Sequence, residues 1–365
     1  MPNHAFLNRP TGILCIALIF GLGVLGFWGW QQWLDPSPWH IEADDVEWAD
    51  GTWGPSIHLH QVIRELPEDD EAALRHFRTT SSLHFARIYV EDILSIGSID
   101  SAGTARELKR FARHESIAPT LHAVDSTSGE PNRLESTEAF MERAFRRFHH
   151  HFPSVDIPQL IWMHSGFNSA VWPDAKVLAV GLEWFLGAEH AIVQSMAPSA
   201  FPGYLRNRMS VDRMGPEAIR GWLLVHFSQH GYAPETCADA LLFWGKVTFV
   251  LDQILPDTPD ALWMDWDEAE WNWAKSHERA IWVELSQQDV LFETNPMEFM
   301  RWFNEGPFTR AAAIPQESPD RLGAFMGWRI VSDYMMEHPE TAFSELMSMT
   351  DPMPFLKSYR PQSTP

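Results

Sequence analysis

Hydrophobic residues are most concentrated at the N-terminus, where residues 12–30 are uncharged and mostly apolar. A helix needs roughly 20 residues to cross the hydrocarbon core, and Trp28, Trp30 and Trp33 fall where an interfacial aromatic belt belongs. This pattern predicts one N-terminal transmembrane helix, a membrane anchor through residues 12–30. Arg9 precedes the segment, whereas Asp35, Glu42, Asp44 and Asp45 follow it, so the basic side is expected to be cytoplasmic and the bulk of the chain to face outward. Gly26-Phe27-Trp28-Gly29-Trp30 puts bulky rings where signal cleavage needs small residues, which favours a retained anchor.

After a Pro-rich break at 35–38 the pattern becomes largely helical, dividing the chain into a tail and anchor at 1–35 and an outward domain at 36–365. From 69 to 114, Leu74, Phe77, Leu83, Phe85, Ile88 and Leu94 recur at spacings that line buried helix faces. Residues 137–152 form an amphipathic pattern with Phe140, Ala144, Phe145 and Phe148 on one side. It ends in His149-His150-His151, whose side chains point about 100° apart on a helix and cannot converge on one ion. The period then changes: 160–163 and 176–180 are short apolar runs around two turn-forming segments, Ser165-Gly166-Phe167-Asn168 and Trp172-Pro173-Asp174. The expected fold is therefore mainly α with a small antiparallel β-sheet (α+β).

Helical signals resume after Gly187. Pro216 opens a segment whose apolar face carries Ile219, Trp222 and Leu223 and continues into His226 and His230. Near the C-terminus Ser318 and Pro319 look like the start of a helix on which Gly323 and Gly327, one turn apart, suit close packing. Trp263, Trp266, Trp271, Trp273 and Trp282 alternate with charged residues as on an amphipathic helix.

With 365 residues and 45% hydrophobic content the chain can bury a large core. A net charge of −22 with no basic, aromatic-interleaved run argues against nucleic acid as a partner. Cys15 and Cys237 are too far apart in sequence and setting for a structural disulfide. The 18 Trp form no repeat and read as core packing, with a glycan-binding surface as the alternative use of any that are exposed. Gly-rich phosphate loops and nucleophile elbows are absent from the outward part.

The remaining chemical candidate is His226-Phe227-Ser228-Gln229-His230. Zinc peptidases space two His by four so that both imidazoles meet one ion, and place a Glu after the first to activate water. Phe227 stands at that position here and can move no proton, so a mechanism that needs a carboxylate there is excluded. His226 and His230 remain as metal candidates, vestigial or structural; no cofactor is expected beyond a possible zinc. The alternative is a zinc-dependent hydrolase that recruits an unconventional acid from Glu235, Asp239 or Asp252.

Five segments in order carry a family likeness from about 57 to 361: Ser165-Gly166-Phe167-Asn168; 181–187; Trp244-Gly245-Lys246 running into 251–256; Gly306-Pro307-Phe308-Thr309; and 318–331. In these the chain resembles the GldB family, membrane-associated proteins of gliding Bacteroidota. The resemblance implies a periplasm-exposed component of the gliding and adhesin-secretion apparatus, with envelope proteins as partners, and supplies no reaction. The same pattern resembles a distant branch of predicted zincin-like peptidases, which implies a helical part at about 57–152 and a degenerate zincin-like core at about 155–361. There Trp244 stands where a third, acidic ligand would lie. Together these imply a single-pass, periplasm-facing pseudoenzyme.

Overall fold

The computed structural model describes residues 37–128, 133–228 and 233–361. The apolar segment 12–30 lies outside them, and among the described residues no helix is long and apolar enough to cross a membrane. Residues 37–40 form a turn closed by His40 N donating to Ser37 O. From Ile41 onward the chain is one packed unit.

A four-stranded sheet lies inside this unit, built from β1 (Ile57–His58), β2 (Gln159–Met163), β3 (Val171–Pro173) and β4 (Val177–Gly181) in the order β1-β2-β4-β3. The two runs read from sequence are both strands, but they pair in parallel, with Ile161 opposite Ala179. Only β3 and β4 run antiparallel, so the sheet is mixed and the expected antiparallel arrangement is corrected. The physical reason is burial: all of β4 and four of the five residues of β2 are inaccessible, as parallel strands covered on both faces are.

Alternation along the strands divides the layers. Ile161, Met163, Val177 and Ala179 belong to one apolar cluster with Leu59 and Ile63 of helix α1 (Leu59–Arg64), Phe77 of α2 (Asp70–Thr80), Phe85 of α3 (Leu83–Arg87) and Leu108 of α4 (Thr104–Arg113). Leu83, expected inside, is 56% exposed because it is the first residue of α3, after a left-handed Ser82. Helix α5 (Ala118–Ser128) follows α4. On the other side of the sheet lie α6 (Arg133–His151) and α7 (Met214–Ser228): Trp162 Nε1 donates to Glu138 of α6, and Gly221 of α7 rests on Val171 of β3. The His triplet does end helix α6, where His151 stacks on Phe343 at 3.9 Å.

The C-terminal half is organised around α8 (Cys237–Ile254), apolar on nearly all sides and buried accordingly. It starts with a capping box in which Thr236 Oγ1 and the Asp239 carboxylate satisfy each other's backbone amides. It crosses α10 (Leu322–Glu337) at Gly245 and Gly327, where a Cβ on Gly245 would lie 2.3 Å from Gly327 O and a Cβ on Gly327 would lie 2.3 Å from Leu241 O. Between them in sequence, α9 (Glu268–Leu285) begins with a second capping box, from Asp267 and Glu270. Trp263, Trp266 and Trp271 are buried against Trp328 and Phe325 of α10, as core. The expected Ser318 cap is not formed: α10 starts at Leu322 behind Arg321, whose φ is +52°.

Candidate functional site

Of the two sequence-identified histidines, His226 is described and His230 lies outside the described residues. His226 is half-buried near the end of α7, its ring flat on Trp222 at 4.9 Å and 17°, with Phe148 and Phe227 edge-on to it. It lines a pocket of about 360 Å³ together with Phe227, Phe243, Phe152 and Lys246. Lys246 Nζ donates to Met347 O and Met349 O, around the end of helix α11 (Phe343–Ser348), at 3.1 and 2.6 Å, and burial lowers its pKa to about 8.

Two of the three acids considered as further ligands are engaged elsewhere. Glu235 is exposed, Asp239 is committed to the α8 capping box, and Asp252 accepts from Trp328 Nε1 at 3.1 Å. Burial pushes the Asp252 carboxyl up to about 6, a cost that the Trp328 bond partly offsets. Trp244, at the position of the implied third ligand, stacks on Phe303 at 6.0 Å and 19°. Among the described residues no three His, Cys, Asp or Glu side chains come together as a metal site.

Two further polar centres are formed by residues that the sequence pattern does not single out. One surrounds Glu183, fully buried just after β4. Consecutive left-handed residues, Gly166 at φ +71° and Phe167 at +61°, curl the backbone after β2 around its carboxylate. Ser165 N, Ser165 Oγ and Phe167 N all donate to Glu183 Oε1, at 2.8, 2.5 and 3.0 Å. Such a nest of amides suits an anion. Next to it Gly166 N donates to His164 Nδ1, so the proton sits on Nε2 and is donated to Thr120 Oγ1 of α5 at 2.6 Å. Thr120 in turn donates to Ile117 O, and Tyr89 OH to His164 O. Two of the five family-like segments, 165–168 and 181–187, thus meet in one buried lock. Glu183→Gln, which puts an amide where three donors converge on a charge, is expected to destabilise the fold by about 2 kcal/mol, measurable by chemical unfolding.

The second centre is a buried ion network. Asp265 binds Arg213 at 2.6 Å, Arg321 at 3.2 Å and Arg208 at 3.5 Å; Asp320 binds Arg208 at 2.8 Å, Arg321 at 3.1 Å and the indole of Trp266 at 3.0 Å. Gly306 N also donates to Asp320, and Thr309 Oγ1 donates to Pro319 O while accepting from Leu322 N. Arg220 of α7 reaches Asp265 and Glu305 at 3.8 Å. Burial would raise both aspartates, but the surrounding guanidiniums, Arg321 foremost, hold Asp265 below and Asp320 well below the usual carboxylate range. Asp265 and Arg321 both have positive φ, +58° and +52°, a strained backbone that the network holds in place. Segments 306–309 and 318–331 converge here, while Gly245 with Gly327 and Asp252 with Trp328 join 244–256 to the same helix α10.

No curated protein and no solved structure matches the chain. A family model does: that of the gliding motility protein GldB aligns with residues 56–361, which contain the sheet, the Glu183 lock and the ion network. The chain belongs to the GldB gliding motility family.

Proposed function

We propose that the protein is a non-catalytic component or accessory of the gliding motility and adhesin-secretion apparatus, held at the cell membrane by residues 12–30 with its folded domain in the periplasm. The observation that carries this reading is where the family-like segments place their polar groups. Asp320, Arg321, Asp252 and one carboxylate oxygen of Glu183, Oε1, are held by partners inside the fold, as expected of residues that maintain a shape rather than a reaction. At the sequence-identified site, Phe227 replaces the general base, Trp244 is packed on Phe303, and of the three acidic candidates Asp239 serves a helix cap, Asp252 accepts from the Trp328 indole and Glu235 is exposed. Among the described residues these side chains do not fit a zinc centre.

Membrane attachment rests on the length and apolarity of 12–30 and on the aromatic residues that end it. The outward orientation rests on Arg9 before that segment and on the family's role. The partners are then envelope proteins of the motility machinery.

Deleting the gene tests the role: colony spreading and surface adhesin are expected to be lost together, and a deletion strain that spreads and exports normally would remove the proposal. The alternative, a hydrolase with zinc on His226 and His230, is tested separately by mass spectrometry of the purified protein beside the His226→Ala, His230→Ala double variant. The expected result is no stoichiometric zinc in either. Stoichiometric zinc lost from the variant would favour the hydrolase.

A further inference from the structure

The pocket that His226 lines has a chemistry of its own. Its walls are Phe152 and Val155 beyond helix α6, Phe227 of α7 and Phe243 of α8. Its titratable lining groups, among the described residues, are His226 and Lys246, and none of those lining residues is an Asp or Glu. In a chain with a formal charge of −22 that is a local reversal: acidic residues outnumber basic ones 49 to 27, yet the described residues lining this cavity include two basic groups and no acid. The ammonium of Lys246 donates to two backbone carbonyls at the end of α11, beside a wall of aromatic rings, where the lower effective dielectric strengthens attraction for a negative group. At about 360 Å³ the space lies within the range of small-molecule sites and holds about a dozen water-sized groups.

We propose that this pocket binds an apolar chain that ends in a single carboxylate, with the chain against Phe152, Val155, Phe227 and Phe243 and the carboxylate toward Lys246 and His226. A free fatty acid and the C-terminus of an apolar peptide share this chemistry. A phosphate or a dianion fits less well, because two basic groups in a mostly apolar wall cannot compensate the desolvation of a second charge.

The test is calorimetric titration of the purified full chain with octanoate and with N-acetyl-trileucine, each beside its uncharged analogue, octanol or the trileucine amide. At least one acid is expected to bind at one per chain and about tenfold more tightly than its neutral analogue, and which acid does so identifies the source. Lys246→Met keeps the length of the side chain, removes the charge and is expected to abolish the preference for the acid. Ser344→Trp fills the mouth of the pocket from an exposed position on α11 and is expected to abolish binding of both forms, so the proposal remains testable if the lysine variant does not fold. Acids bound no better than their neutral analogues, or affinity unchanged by Ser344→Trp, would overturn it.

Discussion

Gly327→Ala is expected to cost about 2–4 kcal/mol and lower the melting temperature by several degrees, although in an isolated helix the same change favours folding by up to about 1 kcal/mol. The added Cβ would lie 2.3 Å from Leu241 O, 2.9 Å from Gly245 N and 3.0 Å from Gly245 Cα. All three are backbone atoms, so no rotamer change relieves the contact, and α8 and α10 must separate. Separation loosens the Trp263, Trp271 and Trp328 packing beside the crossing and lengthens the bond from Trp328 to Asp252. Gly245→Ala meets Gly327 O at the same 2.3 Å and is expected to behave alike. Because each variant forces apart the same two helices, the double variant should cost less than the sum of the singles. A melting temperature unchanged or raised in either single variant would show that the helices do not cross this closely.

The second large effect is expected at Asp320. Asp320→Ala leaves Arg208 and Arg321 buried without their shared carboxylate, and removing one partner from a buried ion pair costs about 3–5 kcal/mol. Arg321 would then be held only by Asp265 and Glu305, and the strained turn before α10 would lose two of its anchors, Gly306 N and Trp266 Nε1. The pH dependence follows from the direction of the shift. Because the folded-state pKa of Asp320 is depressed, its contribution is complete above the unfolded carboxylate value of about 4 and is lost as pH falls below it. Wild-type stability should therefore decline steeply below pH 4, and the Asp320→Ala variant should show a shallower decline from a lower plateau. Parallel curves for the two proteins would mean that Asp320 does not carry this linkage.

The extent to which the fold could be read from sequence follows the range of the interactions that make it. Helix α6 was legible because Phe140, Ala144, Phe145 and Phe148 repeat at helical spacing within one segment. The glycine contact at Gly323 and Gly327 was legible as a propensity for close approach, although its partner, Gly245, lies 82 residues from Gly327 and no local pattern links them. Strands β2 and β4 were visible as apolar runs. Their parallel pairing was also written there, since runs without alternation signal burial on both faces, but the turn residues between them suggested a hairpin and hid β3. The two residues of β1 are too few to show a period.

The polar centres were harder to read for the same reason. Arg208, Arg213, Arg220, Asp265 and Asp320 span over a hundred residues and look individually like surface charges; only the fold makes them a network. Glu183 carried a better signal, a lone acid in the apolar run 181–187, and a buried carboxylate in such a setting requires donors from elsewhere. His226 and His230 are spaced as a metal pair; the ring of His226 stacks on Trp222, and His230 lies outside the described residues.

The most direct test of the central claim is complementation of the deletion strain with the His230→Ala chain, which removes one of the two candidate zinc ligands and leaves His226 in its pocket, produced at wild-type level and scored by the rate of colony spreading. A non-catalytic component predicts spreading restored to the wild-type rate. A stably produced His230→Ala variant that leaves the colony immotile would contradict it and return the histidine pair to the mechanism.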